Sequence, residues 1–322
     1  MNITLSKAFA LGFLALGISF ASCKKPGEVE ELGSAGTTIF KAMNAGEKVL
    51  AFDPLSTPQT GILMDVRRDA VSSSDLNTEA TAVVSLDQAY LDAYNEENET
   101  EYEFLPVDIY TTTPALSGDK FNLVFAPGEF AKQIKFSLTD ATKIDFSKQY
   151  AFPLTITEVA SGKTISASKT VLVKVLVKNA WDGAYEVTGT MQDDGAALGG
   201  LFPMEYNLIT SGANTVDGFD PVYWGDYFVP IMNGADVSGY GSFSPVFTFD
   251  PATNKIVSVT NIYGQPAGNT RSAEIDPSGE NFYDPATKTI KVKFFMKQPS
   301  VITTAPHIRV KFNWTMKRTG DR

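Results

Sequence analysis

Nine aromatic residues fall within the 31 positions 219–249, and glycines separate several of them. Aromatic ring faces offer apolar surface and a negative quadrupole to the polarised C–H groups of a sugar, and a nearby Asp or Asn can accept hydroxyl hydrogen bonds. The pattern therefore predicts a ligand platform formed by Tyr223 and Trp224, with Asp226 and Tyr227 beside them.

The competing interpretation is that these rings fill the core of a small β-domain, as aromatic side chains in β-proteins commonly do. Phe247 and Phe249 alternate along a strand pattern next to a turn, so we assign both to a core. Trp224 stands in a polar, glycine-containing segment that Pro221 opens, so we assign its ring to a ligand surface.

The chain has few residues for conventional catalysis, since it contains one histidine, His307, and one cysteine, Cys23. A Ser-His-Asp triad would have to use His307, and no Gly-x-Ser-x-Gly elbow occurs. Zinc needs several His or Cys ligands. We interpret His307 as a structural residue that opens an edge strand, and we predict no catalytic residue, no metal, no cofactor and no enzyme activity.

The segment Asp217-Gly218-Phe219-Asp220 copies the first half of the acidic signature of chitinase-like barrels. The acids that would complete that signature are missing, and the roughly 140 residues available are too few for a β/α barrel of about 250. We therefore interpret this segment as a turn, and a glycoside hydrolase remains only an alternative.

The charge balance is acidic, because 37 acidic residues face 27 basic ones for a net charge of −10. Nucleic-acid binding draws its affinity from clustered Lys and Arg that release counterions, so we exclude a nucleic-acid partner. Oxygen ligands could hold calcium, and that alternative stays open at the acidic run 92–103, at Asp193-Asp194, and at Asp276 with Glu280.

The N-terminal residues 1–22 have the pattern of an export signal, with Lys7 preceding the apolar run 8–20. Thirteen residues rise only about 20 Å as a helix, less than the roughly 30 Å of a bilayer core. Ala21-Ser22-Cys23 resembles the lipobox of bacterial lipoproteins, which implies a lipid on Cys23. A plain secretory signal is the alternative. Residues 23–36 are polar and predict a flexible tether.

The length predicts two ordinary domains, and alternating side chains predict that residues 37–179 form the first, a sandwich of six or seven strands. The expected strands lie at 62–66, 81–86, 121–125, 134–138, 150–157 and 170–177. One helix is expected over 88–97, with Asp87 as its N-cap because its carboxylate can accept from the free first-turn amides.

Residues 180–322 predict a second antiparallel β-sandwich or barrel-like domain. Asp-Pro-Ala-Thr occurs at 250–253 and again at 284–287, and each copy predicts a hairpin turn. Residues 308–316 alternate strictly, so Val310, Phe312 and Trp314 are expected in a core and Arg309 and Lys311 in water.

An ordered set of short motifs carries a family resemblance. The set comprises Ser85-Leu86-Asp87, Tyr94-Asn95, Tyr102, Leu105-Pro106, Tyr110, Ala126-Pro127-Gly128-Glu129, Phe152-Pro153-Leu154 and Val173-Lys174-Val175 with Asn179. Together they resemble the immunoglobulin-like N-terminal domain of unknown function in Bacteroidetes lipoproteins, which is often encoded near starch-utilisation-type glycan uptake systems. The resemblance implies an outer-membrane lipoprotein on the cell surface with a glycan connection, and it brings no catalytic residue.

These observations predict a non-catalytic lipoprotein that is anchored in the outer membrane through Cys23 and binds polysaccharide or oligosaccharide as an accessory to uptake proteins. A protein-binding adhesion or assembly module of the outer membrane is the main alternative, which an exposed sheet edge or a large apolar patch would favour. A glycoside hydrolase is the third, which a close pair of buried carboxylates would favour.

Overall fold

The computed structural model describes residues 36–322, and it is an all-β protein with two large hydrophobic cores. The first core draws on side chains from Phe40 to Val175, and the second on side chains from Trp181 to Met316. The predicted signal, most of the predicted tether and Cys23 lie outside the described residues. Within the described residues, no helix has both the length and the apolar character needed to cross a bilayer.

The first half of the described chain contains eleven strands, two α-helices and one short 3₁₀ turn. They are β1 (Ile39–Ala42), β2 (Gly46–Phe52), β3 (Gln59–Asp69), α1 (Ser73–Leu76), β4 (Ala80–Leu86), α2 (Gln88–Asn98), β5 (Tyr102–Glu103), β6 (Tyr110–Thr113), β7 (Lys120–Phe125), β8 (Ala131–Leu138), the 3₁₀ turn Ala141–Lys143, β9 (Gln149–Val159), β10 (Thr164–Ile165) and β11 (Thr170–Val177).

These strands form two facing sheets, which confirms the sandwich. One sheet has the order β10-β1-β3-β8-β6, and the other has the order β2-β11-β9-β4-β7 with β5 paired to β9. Alternate residues of each long strand point between the sheets, as Phe121, Leu123 and Phe125 do on β7. The hydrophobic alternation along each strand therefore fixes which face is buried.

The six predicted strands and the predicted helix are all present. Asp87 caps α2 by accepting a hydrogen bond from the backbone N–H of Tyr90 at 3.1 Å. Five strands are additional. Strands β1, β5, β6 and β10 have two to four residues each, too few to show an alternating pattern, and the seven-residue β2 pairs in parallel with β11.

The second half consists of twelve strands. They are β12 (Gly183–Asp193), β13 (Leu198–Gly200), β14 (Met204–Gly212), β15 (Thr215–Phe219), β16 (Val229–Asn233), β17 (Asp236–Tyr240), β18 (Pro245–Asp250), β19 (Lys255–Asn261), β20 (Ser272–Ile275), β21 (Phe282–Asp284), β22 (Thr289–Lys297) and β23 (Ile308–Gly320).

Eight of these strands close into an antiparallel barrel in the order β12-β14-β15-β18-β19-β21-β22-β23, and β23 pairs back onto β12. Strand β20 pairs with residues 294–297 of β22, on the same edge that β21 uses at residues 289–291, and β13, β16 and β17 form a separate small sheet. Closure removes the exposed edges that a flat sheet would leave. Of the two architectures that the sequence predicts for this region, the structure has the barrel-like one.

Side chains fill the barrel, so it is a packed core and not a channel. Phe312 stacks on Phe294 with ring centroids 4.6 Å apart, and Trp314 meets Phe294 edge to face at 5.0 Å. Phe247 and Phe249 are also buried, as predicted. The two Asp-Pro-Ala-Thr turns form as predicted, and in each one the Asp carboxylate accepts from the backbone N–H of the Ala.

Three expectations for this half are wrong. Strand β23 is not an edge strand, because it pairs with β12 on one side and β22 on the other. Arg309 does not face water but is buried, because its guanidinium pairs with Asp193 at 3.1 Å. The segment that starts at Asp217 is not a turn: residues 217–219 belong to β15, where Ser211 donates to the buried Asp217 carboxylate at 2.5 Å.

Asp182, at the start of the barrel, binds residues that are distant in sequence as well as the nearby Lys178. It is buried, and its carboxylate accepts from the backbone N–H of Thr210 at 2.8 Å. The same carboxylate pairs with Arg322 at 3.0 Å and with Lys178 at 3.5 Å. Burial by itself would raise the pKa of Asp182, but the hydrogen bonds and charge of Arg322 outweigh it and hold that pKa below its ordinary value.

We expect Asp182→Asn to lower the free energy of unfolding by about 2 kcal/mol at pH 7, because hydrogen bonds to a charged group contribute about 1.5–3 kcal/mol each. The pKa of Asp182 is lowered by folding, so its stabilising contribution is present above the ordinary carboxyl pKa and is lost as the pH falls through the folded value. The difference between wild type and variant should therefore shrink from pH 7 to pH 3 in urea unfolding. An equal difference at both pH values would contradict this, and Asp321→Asn, at an exposed ion pair, serves as the control.

Candidate functional site: an exposed aromatic strip

The predicted ligand residues lie in the loop 220–228, which connects β15 to β16. Asp220 organises this loop from a fully buried position. Its carboxylate accepts from the backbone N–H groups of Val222, Tyr223 and Trp224 at 3.1, 3.0 and 2.8 Å. Because a side-chain carboxylate satisfies three consecutive amides, the loop has a defined shape without regular secondary structure.

This shape displays two aromatic side chains at the surface. Tyr223 and Trp224 are 47% and 41% exposed, and their ring centroids lie 5.9 Å apart. Trp224 also packs near-parallel to Phe228, at 6.0 Å and 29°, so its ring is supported from one side. The structure thus places both predicted platform rings where a ligand can reach them.

A fourth ring, Tyr263, extends this surface. It is 40% exposed and its centroid lies 6.4 Å from that of Phe228. Tyr223, Trp224, Phe228 and Tyr263 therefore form one continuous row, which we call the aromatic strip. Sequence reasoning missed Tyr263 because it lies in the loop after β19, far from the aromatic-rich segment, and only the pairing of β18 with β19 brings the two loops together.

Asp226 and Tyr227, the other two predicted residues, have different surroundings. Asp226 is exposed, and its backbone N–H and C=O pair with those of Asp220 across the base of the loop. Burial, and then the charge of Asp226, raise the pKa of the Tyr263 phenol, so this carboxylate flanks the aromatic strip. Tyr227 is half-buried and meets Phe219 edge to face at 5.3 Å.

The remaining aromatic residues of the rich segment are structural. Tyr240, Phe243, Phe247 and Phe249 are at most 1% exposed. The two interpretations of the sequence thus apply to different residues of one segment: the rings at 240–249 enter the core, and Tyr223 and Trp224 of the loop 220–228 reach the surface.

Asp217 lies on β15, directly before this loop. Folding favours the protonated form of its carboxyl group. Burial raises the pKa of Asp217, and the hydrogen bond from Ser211 offsets part of that effect. A glycoside hydrolase needs two carboxylates flanking the bond to be broken. The other buried acid of this region, Asp220, accepts three backbone hydrogen bonds that shape the loop.

Several of the acids that left calcium open as an alternative pair with cations. Asp193 pairs with Arg309, Asp194 pairs with Lys311 at 2.7 Å, and Glu280 pairs with Lys291 at 3.0 Å. Across residues 36–322, no group of three or more His, Cys, Asp or Glu side chains is placed to hold a metal ion. His307 Nδ1 donates to the backbone carbonyl of Ile302 at 2.9 Å.

Comparison with known proteins shows that part of the N-terminal half is similar to a family of N-terminal domains. A family model described as a "-like, N-terminal domain" matches residues 35–163, in the region that resembles the Bacteroidetes lipoprotein domain. A search of curated proteins gave no match.

Solved structures from Bacteroides are similar to this chain to different degrees. A protein of unknown function from Bacteroides ovatus aligns with a TM-score of 0.53 and 12% identity over 88% of this chain and 95% of that chain. A multidomain protein from the same organism that includes DUF1735 aligns at 0.49 and 12% over 88% and 93%. An auxiliary nutrient binding protein from Bacteroides thetaiotaomicron aligns at 0.41 and 14% over 83% and 89%. The first likeness shows the fold alone, and the other two are too weak to carry an inference.

Proposed function

We propose that the chain is a non-catalytic glycan-binding protein and that the aromatic strip is its binding surface. The observation that carries this proposal is the continuous row of Tyr223, Trp224, Phe228 and Tyr263 at the surface of the barrel domain. Exposed rings are costly unless a ligand or partner covers them, and those in a row form an apolar surface of the kind that marks interaction sites.

The geometry of the strip suits a saccharide with several rings. Successive centroids are 5.9, 6.0 and 6.4 Å apart, so the surface extends beyond the area of one sugar. Aromatic faces accept the apolar face of each sugar, and the exposed Asp226 carboxylate beside Tyr263 can accept hydroxyl hydrogen bonds. The hydrogen bonds that Asp220 accepts hold the loop in this shape before any ligand arrives, which lowers the entropic cost of binding.

The cellular setting is part of the same proposal. A lipid on Cys23 would anchor the chain in the outer membrane, and the polar residues 24–36 would space the two β-domains from the lipid. Several acyl chains on one residue exceed the single chain that gives only marginal membrane binding. On the cell surface, the aromatic strip would present glycan to uptake proteins of the same membrane.

We expect Trp224→Ala to weaken glycan binding by about tenfold or more, because a half-exposed aromatic anchor at the centre of a binding surface is the type of residue whose removal costs most. The measurement is affinity electrophoresis of residues 24–322 against a panel of polysaccharides, followed by titration with the glycan that retards the protein. Tyr263→Ala should weaken binding of the same glycan by a smaller factor, since Tyr263 lies at the end of the strip.

Phe130→Ala is the matched control, because Phe130 is an aromatic side chain of the sandwich domain with 54% exposure. Its loss should leave retardation unchanged. If a glycan binds and Trp224→Ala binds it equally well, the strip is not the site. If no glycan in the panel retards the wild-type protein, the proposal fails in favour of a protein partner, which pull-downs from outer membranes would then identify.

A further inference from the structure

The sandwich domain has a cavity of about 670 Å³ that plays no part in the aromatic strip. It lies on the outward face of the sheet β10-β1-β3-β8-β6, with Lys48 reaching in from the edge strand β2 of the other sheet. Its volume falls in the range of about 300–1,000 Å³ that is usual for ligand pockets. We call it the lysine cavity.

Strand register explains why the lysine cavity carries hydroxyl and ammonium groups. On β8, Ile134, Phe136 and Leu138 point into the core, so Lys135 and Ser137 point outward. Each outward residue has neighbours directly opposite on both flanking strands. Lys135 lies between Ile62 and Thr113, and Ser137 lies between Thr60 and Thr111. Four hydroxyl groups, those of Thr60, Thr111, Thr113 and Ser137, therefore share one face of the sheet with the Lys135 side chain.

Two lysines give the cavity its charge. Lys135 is exposed and has no ion pair or hydrogen bond with any other residue in the part of the chain that the structure describes. Lys48 is half-buried and donates to the backbone carbonyl of Ile62. None of the nine residues that line the cavity is an Asp or Glu. The nearest carboxylate, Asp65, already pairs with Arg67 at 2.8 Å.

The cavity continues into a second one of about 270 Å³, and the two share Thr113 and Lys135. The second cavity adds Lys132, Gln133 and Asn122 to the lining. Lys132 is neutralised by Glu129 at 2.7 Å. The result is an elongated groove lined by apolar side chains, among them Ile62 and Val124, and by hydroxyl and amide groups, with the Lys135 ammonium, unpaired among the described residues, at the junction and Lys48 at one end.

The geometry points to a second ligand site, in which the lysine cavity binds an anionic saccharide that carries carboxylate or sulfate groups. The two ammonium groups would hold the anionic substituents, since charge-assisted hydrogen bonds are about twice as strong as neutral ones. The Thr and Ser hydroxyls would exchange hydrogen bonds with the ring hydroxyls. A chain with a net charge of −10 does not attract polyanions in general, so such binding would require this local site.

The test compares three polymers of one backbone: dextran, carboxymethyl-dextran and dextran sulfate. Residues 24–322, which include the whole described structure, are titrated with labelled polymer of one length at about 0.15 M salt, where exposed charges are screened beyond about 8 Å. We expect one of the anionic polymers to bind and neutral dextran to bind at least about tenfold more weakly. Whether carboxymethyl-dextran or dextran sulfate binds shows whether the cavity takes carboxylate or sulfate groups.

Lys135→Gln should weaken binding of that anionic polymer about tenfold, and the pair Lys48→Gln with Lys135→Gln should abolish it. Lys317→Gln, which removes an exposed charge from the barrel, is the matched control and should have no effect. Because Lys135 is exposed, its variant should retain the wild-type unfolding curve. Trp224→Ala should leave this binding intact, so the two sites can fail independently.

Three results would overturn the second site. The first is the absence of binding to either anionic polymer. The second is an equal loss of affinity in Lys135→Gln and Lys317→Gln, which would indicate only an effect of net charge. The third is binding of poly-glutamate with the affinity of the anionic dextran and the same dependence on Lys135, which would assign the cavity to an acidic protein segment instead of a saccharide.

Discussion

Trp314→Ala is expected to lower the free energy of unfolding of the barrel domain by about 4 kcal/mol, within the range of about 3–5 kcal/mol for truncating a buried aromatic residue. Trp314 is 1% exposed and lies where three rings converge: Phe294 at 5.0 Å, Phe312 at 5.5 Å and Tyr206 at 5.6 Å. Its removal leaves a cavity that these rings cannot close without breaking their own contacts. Urea unfolding followed by fluorescence measures the loss.

Trp314→Phe is the control that separates packing from hydrogen bonding. The indole N–H of Trp314 has no hydrogen-bond partner among residues 36–322, so phenylalanine removes an unsatisfied donor while it keeps most of the ring. Its cost should be well below that of the alanine variant. A cost for Trp314→Phe equal to that for Trp314→Ala would show that the N–H matters and that ring packing does not.

Asp193→Ala is expected to destabilise the barrel domain by about 4 kcal/mol, because removal of one partner of a buried ion pair costs about 3–5 kcal/mol. The Asp193 side chain is fully buried and pairs through both oxygens with Arg309, at 3.2 and 3.1 Å. Its Oδ2 also accepts from the Tyr240 hydroxyl at 2.6 Å. Arg271 lies over the same Tyr240 ring, so Asp193 is the carboxylate that balances two nearby guanidinium groups.

A double-mutant cycle tests this assignment. Arg309→Met removes the cation that Asp193→Ala would leave buried, so the double variant should be less destabilised than the sum of the two single variants by at least about 1 kcal/mol. Strict additivity would mean that the pair is not coupled. Arg271 is left unchanged in the cycle. Burial, and then the charge of Arg309, lower the pKa of Arg271, so Arg309→Met should also relieve the repulsion between these two guanidinium groups.

Local rules account for the elements that the sequence predicted. Period-two alternation located the long strands, because one face of each is buried against a core. The Asp87 cap located α2, and Asp-Pro-Ala-Thr located two hairpin turns. Each of these signals is complete within about a dozen residues, so none depends on the position of a distant strand.

The sequence signal for part of the candidate site also lies within a short stretch of the chain. A loop that is closed by the hydrogen bonds of Asp220 places Tyr223 and Trp224 at the surface, and the polar, proline-bounded sequence predicted that exposure. Composition could not separate these rings from Tyr240 and Phe243, which lie in the same segment but face the core. That distinction depends on where each strand ends, and boundaries are the least certain part of a sequence pattern.

The sequence by itself determined that this is an all-β protein, which strand faces are apolar, and where the aromatic loop begins. Only the tertiary structure decided the rest. The pairing of β22 with β23 and of β23 with β12 closes the barrel. The pairing of β15 with β18 and of β18 with β19 brings Tyr263 to the strip. The pairing of β8 with β3 and β6 places Thr and Ser hydroxyls on the same face as Lys135. Asp193 and Arg309 lie 116 residues apart. The physical reason is common to all four: a strand's alternation specifies which face it buries, but it does not specify which neighbour it pairs with, because every strand offers the same backbone donors and acceptors.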